Sequence, residues 1–320
     1  MNKTKLIWLI TGGAIILIGL SVIVLAMSET GWDLRNLSGK YVTTEHEITQ
    51  DFNDISIDSD TERISFILSD DEKCKVVCSE PENMKHTVAV SGGALKISVK
   101  DERKWFERIS LFSSDQFKTT VYLPKKDYTS LVIDTDTGDI DIPKDFAFKN
   151  IDISGSTCDV KCSASAEGKT GIKLSTGDIR LDGVDTGELE LSVSTGAVTL
   201  QKITCKGGIT VGVSTGKAEL SDVKCGSLTS SGSTGVIHMD NVTATGAFNI
   251  DRSTGDITFD SCDAAELYIK TSTGSVSGTL LSDKVFITDT STGDIDVPKT
   301  ITGGRCEITT TTGDIRISIK

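Results

Sequence analysis

Aromatic residues are only 5% of this 320-residue chain, and there are only 4 prolines and 3 histidines. Set beside 30 glycines and abundant Ser, Thr, Val and Ile, that scarcity points to many short strands and tight turns rather than packed helices. Positive charge is short too: 33 Lys and Arg face 46 Asp and Glu, a net −13. A surface of that sign does not displace the counterions of nucleic acid, nor does it dock on anionic lipid headgroups. His46, His86 and His238 lie far apart, without metal-ligand spacing to another His or Cys; each reads as a surface residue. No phosphate loop or nucleophile elbow occurs.

Long apolar runs are also rare, with one exception. Residues 6–26, "LIWLITGGAIILIGLSVIVLA", are 21 consecutive uncharged residues, long enough as a helix to cross a hydrocarbon core of roughly 30 Å. Lys3 and Lys5 precede the run, and Glu29 and Asp33 follow it. That bias predicts a single-pass transmembrane anchor, N-terminus cytoplasmic and bulk extracytoplasmic. A signal peptide cleaved after Ala26 is the alternative.

Eight cysteines in an exported chain would ordinarily suggest disulfides. Cys74 and Cys78, like Cys158 and Cys162, are four apart in strand-like sequence, which separates their Cα atoms by roughly 13 Å. Cys205 and Cys225 are predicted to stack on adjacent turns, near enough for a bridge but poorly directed for one. Buried free thiols are the expectation.

What the chain has in excess is one corner. "STGDI" stands at 175–179, 253–257 and 291–295, and "TTGDI" at 311–315. The marker glycines are 138, 177, 196, 216, 235, 255, 274, 293 and 313; Cys158 fills the one gap. All ten markers follow a Thr and are spaced 19 or 20 apart, the mark of a stacked repeat. Apolar residues follow two and four places on, as at Ile179 and Leu181 or Val198 and Leu200, with polar residues between. This alternation makes a strand with one buried face. A second strand precedes each marker, as in "LELSV" at 189–193. The prediction is an all-β parallel β-solenoid with rungs of 19–20 residues, ten of them spanning roughly 50 Å. The Thr hydroxyls are expected to bond to turn backbone. The rung after Gly313 is expected to be the uncovered edge, with Arg316 and Lys320 as gatekeepers.

An apolar N-terminal segment, an irregular strand-rich region ending in "VYLP" (121–124), then "LVIDTDTGDIDI" (131–142) and iterated "STGDI" corners together resemble the DUF4097 family. These are adhesin-like β-strand repeat proteins of bacterial envelopes. The resemblance covers roughly residues 47–320. It implies an exported β-solenoid with no established catalytic activity, and it offers no catalytic residues to carry over.

The organisation expected is a tip and transmembrane anchor over 1–26, a linker over 27–46, an irregular β region or cap over 47–130 and the regular solenoid over 131–320. Asp follows the marker in six of ten rungs. One reading is calcium held between rungs by Asp294, Asp296 and Asp314. The preferred one is solvated turn residues relieved by Lys161, Arg180 and Arg316. Acids and bases are scattered along the outward row, so no glycan-cleaving cluster forms; no enzyme and no cofactor are expected. "DERKWFERISLFSS" at 101–114 breaks the strand pattern, and Trp105, Phe106 and Phe112 there are the candidate contact residues for a ligand or partner. The functional expectation is an adhesin-like or structural module binding cell-wall polymer or an envelope protein, with end-to-end self-association through the last rung as a further option. The alternative is an accessory component of an envelope-stress sensing system acting through a membrane partner, with a polysaccharide-active enzyme behind both.

Overall fold

The computed structural model describes residues 3–29, 41–82, 84–101 and 117–320. From residue 127 onward the chain winds into a parallel β-solenoid of about ten turns. Each turn carries a long strand, such as Ala147–Thr157 or Ser165–Thr176, then the Ser-Thr-Gly corner, then a short strand such as Val160–Cys162 or Ile179–Asp182. Equivalent residues stack in register. Ile133, Ile153, Ile172, Leu191 and Val211 form one inward row, and Ile140, Val160, Ile179, Val198 and Ala218 another. All ten are buried. The period-2 pattern therefore puts an apolar row on each inner wall, and each buried Val, Leu or Ile contributes roughly 1.5–3 kcal/mol.

A second corner lies six residues past the marker, at Gly183, Lys202, Asp222, Asn241 and Ser261, all with left-handed φ between 51° and 67°. Four of these five residues carry a side chain, so the glycine signal that exposes the first corner is missing from the second.

The irregular region extends the same sheet. Asp54–Ser59 pairs in parallel with Asp127–Thr137, and Arg63–Leu68 with Ile140–Ile142. Antiparallel strands are added beside them: Cys74–Pro81 against Lys118–Leu123, Tyr41–Ile48 against Cys74–Pro81, and Met84–Ser91 against Ala94–Asp101.

At the other end the order of turns departs from the order of sequence. Glu266–Thr273 pairs with Gly304–Thr312, and Lys284–Thr292 pairs with the far side of that same strand. The short strands follow suit, with Val276–Leu280 on Ile315–Ile319 and Ile295–Asp296 outside it. The last turn thus fills a slot that the preceding turn skipped. This corrects the expected edge: the outermost turn is 284–297, which leaves Ile287 47% and Ile295 45% exposed. Arg316 and Lys320 are not gatekeepers of a bare rung. Arg316 pairs with Asp314 at 2.8 Å, and the Lys320 ammonium donates to Ser261 Oγ at 2.6 Å.

The transmembrane expectation is corrected as well. The N-terminal helix runs Lys3–Glu29. Among the described residues no helix is long and apolar enough to cross a membrane. The single-pass anchor, the membrane partner at 6–26 and the localisation drawn from them are withdrawn. All eight cysteines are buried and free, Cys205 and Cys225 included.

Candidate functional site

The corner is built by close approach between turns. The nine marker glycines have φ between 127° and 150°, which disfavours any side chain. A Cβ on Gly216 would also overlap the Gly196 carbonyl, and one on Gly235 the Gly216 carbonyl. Glycine N–H groups donate across to the Thr carbonyl of the adjoining turn, as Gly177 does to Thr195 at 3.0 Å and Gly255 to Thr273 at 2.8 Å. Backbone contact alone thus accounts for the glycine.

The Asp after it is explained the same way. Asp159 Oδ1 accepts the Asp178 N–H at 2.8 Å, Asp178 Oδ1 the Ala197 N–H at 2.9 Å, and Asp256 Oδ1 the Ser275 N–H at 2.8 Å. The other carboxylate oxygen often meets a base two places on: Arg180 lies 2.6 Å from Asp178 Oδ2. Asp159, Asp178, Asp256 and Asp314 therefore cap neighbouring corners, which offsets the repulsion expected of stacked acids.

The corner threonines have no such internal employment, while of the corner serines Ser156 donates to Asp136 Oδ1 at 3.3 Å. Thr157, Thr176, Thr195, Thr215, Thr234, Thr254 and Thr273 stack in register and are exposed, as are the serines before them. Among the described residues the hydroxyls of these threonines donate no hydrogen bond to the corner backbone, which corrects the expected bonding. The corner rows thus form a continuous ridge of outward hydroxyl pairs. One pair stands on each turn, roughly 4.8 Å from the next. Beside the ridge, on the outer face of the long strands, lies a notch at Gly171, flanked by Asp152, Lys169, Lys173 and Glu190. Lys169 and Glu190 are ion-paired there at 2.5 Å.

The structure places the sequence-derived candidates as follows. Asp294 and Asp314 sit on adjacent turns, with the Asp294 N–H donating to Asp314 Oδ1 at 2.8 Å. That bond, together with Arg316, holds the Asp314 carboxyl below the usual range. Asp296 stands opposite Arg316 in the strand register. Trp105, Phe106 and Phe112 lie outside the described residues. His238 is a surface residue bonded to Thr258 Oγ1 at 2.8 Å, and His46 is half-buried.

His86 departs from expectation: it is buried. Its ring nitrogens face Glu80 Oε2 at 2.6 Å and Glu62 Oε1 at 2.9 Å. Burial alone would lower its pKa, but hydrogen bonds to Cys78 and Glu62 outweigh that and push it up to about 10. Spacing tests for His and Cys overlook this cluster because two of its members are glutamates. A signal was nonetheless present: in "CKVVCSE" the alternation that buries Cys74, Val76 and Cys78 also carries Glu80 inward.

Comparison with known proteins follows this geometry. The sequence profile of the family described as Toastrack DUF4097 matches residues 52–217 and 204–320. No curated protein matches the chain. Among solved structures, a candidate adhesin from Bacteroides fragilis is 14% identical, with 87% of this chain and 97% of that one covered and a TM-score of 0.43. A candidate adhesin from Parabacteroides merdae is 15% identical over 75% of this chain and 96% of its own, at a TM-score of 0.48. A candidate lipid-binding protein from Parabacteroides distasonis is 13% identical over 88% and 98%, at 0.29.

Proposed function

We propose, for a chain that belongs to the Toastrack DUF4097 family, a non-enzymatic binding role in which the corner ridge engages an extended polyhydroxylated polymer such as cell-wall glycan. The observation that carries this reading is the ridge of exposed Thr hydroxyls, unbonded to the corner backbone among the described residues and held in register over the stacked turns, with exposed serines beside them. The fold accounts for the corner glycines and for Asp159, Asp178, Asp256 and Asp314, but gives the corner threonine hydroxyls no bond to the corner backbone. Each hydroxyl both donates and accepts, and each bond to a ligand is individually weak. Many at one spacing act together as a multivalent surface. The acids that would suggest cleavage are occupied in capping backbone, as Asp178 and Asp256 are, which favours binding over hydrolysis.

The test is co-sedimentation of the full chain with insoluble wall glycan, alongside a variant carrying Thr195→Val, Thr215→Val and Thr234→Val. Valine keeps shape and strand propensity while removing three hydroxyls. At about 0.5–1.5 kcal/mol per bond, affinity is expected to fall roughly tenfold or more with an unchanged melting temperature. Equal binding by both chains would clear the ridge of any role, and no binding by either would remove glycan as the ligand.

A further inference from the structure

The buried group around His86 is chemically unlike the rest of the core. Cys78 and Glu80 project inward two places apart from Cys74–Pro81, His86 inward from Met84–Ser91, and Glu62 stands just before Arg63–Leu68. Their exposures are 0%, 1%, 7% and 0%. Two carboxylates in an apolar interior need compensating positive charge. Glu80 finds part of it: it accepts the His86 N–H at 2.8 Å and the Thr44 hydroxyl at 2.9 Å, with the half-exposed Lys85 ammonium at 3.3 Å. Glu62 finds less. One oxygen meets the His86 ring, while Oε2 is buried without any hydrogen-bond partner. Two buried carboxylates beside a thiol and an imidazole make an interior that calls for more positive charge than the His86 ring and the half-exposed Lys85 supply.

The donors are also close enough to share one. Cys78, Glu80 and His86 each offer a ligand atom, all within 4.8 Å of one another. Bonds of about 2.0–2.3 Å to a central ion fit inside that spread. We propose that Cys78 Sγ, His86 and the Glu80 carboxylate bind a zinc-class divalent ion, with Glu62 on the far ring nitrogen fixing the imidazole. One sulfur, one nitrogen and oxygen is a donor set that suits Zn²⁺ over Ca²⁺ or Mg²⁺, which prefer oxygen alone. A carboxylate on the second ring nitrogen is the usual means by which a ligating histidine is oriented. The ion takes the place of two protons, one from the Cys78 thiol and one from the imidazole, so the charge buried in the cluster is unchanged. It ties the strands Cys74–Pro81 and Met84–Ser91 directly, and through His86 the turn at Glu62, so its role is to staple the irregular end of the solenoid.

The experiment uses the full chain, stripped with a chelator and titrated with Zn²⁺ or Co²⁺. One equivalent of Zn²⁺ is expected to bind and raise the melting temperature. Co²⁺ is expected to give a thiolate-to-metal charge-transfer band, and X-ray absorption of the zinc form one sulfur among lighter ligands. Cys78→Ser and His86→Gln are expected to lose the band, whereas Cys306→Ser, a buried thiol at the other end of the stack, keeps it. No metal uptake, a sulfur-free coordination shell, or a band that survives both substitutions would overturn the site. Should the two variants fail to fold, the spectra of the unaltered chain alone decide.

Discussion

At the scale of single residues, the core thiols couple stability to alkaline pH. Burial pushes Cys74, Cys162, Cys225 and Cys306 up to about 12, and Cys158 and Cys262 to about 11, from an ordinary 9.0. An acid whose pKa is higher in the folded than in the unfolded chain stabilises the fold while it stays neutral. Its contribution is whole below about pH 9 and is lost as the pH climbs toward about 12. The urea midpoint is therefore expected to hold level up to about pH 9 and fall beyond it. A triple Cys162→Ala, Cys225→Ala, Cys306→Ala chain should fall less steeply over the same window. A slope unchanged by those substitutions would assign the alkaline loss to other groups.

Among elements, the exchange of the last two turns has a consequence that sequence order would hide. Because Gly304–Thr312 lies between Glu266–Thr273 and Lys284–Thr292, removing residues 304–320 takes away the partner of the outermost turn. Deletion is expected to abolish amide protection over 284–296 as well, while 247–262 stays protected. Were the turns stacked in sequence order, 284–296 would keep its pairing to 266–280 and its protection. Hydrogen exchange read by mass spectrometry separates the two cases. The same exchange explains the exposed Ile287 and Ile295: they belong to the turn that no other strand covers.

For the whole molecule, a stack in which each turn touches only its neighbours should respond to damage locally. Ile250 is buried between Ser230 and Ile269 in one inward row. Ile250→Ala is expected to cost about 2–5 kcal/mol, the range for emptying a packed aliphatic site. In a quasi-linear array that loss should raise exchange most in turns 227–280 and least around 147–157. Uniform loosening along the chain would show that the turns unfold as one unit rather than as a linear array.

The sequence by itself determined the repeat: Thr-Gly at every nineteenth or twentieth residue, and Ile, Val or Leu two and four places on, specify corner, strand and inward face with no help from distant contacts. It also determined that the thiols are buried, because they fall on inward positions. Only the tertiary structure decided the rest, since neighbours along an axis are not neighbours in sequence. The left-handed corner at Lys202, Asp222 and Asn241 carries no glycine to announce it. Arg252 occupies an inward position, bonding the Val213 carbonyl at 3.2 Å and Ser230 Oγ at 3.0 Å in space that Gly232 leaves open. The outermost turn proved to be 284–297, because strand pairing, and not chain order, decides which backbone is left bare. Glu62, Cys78, Glu80 and His86, spread over 25 residues of sequence, meet only because three strands fold one polar group into a shared interior.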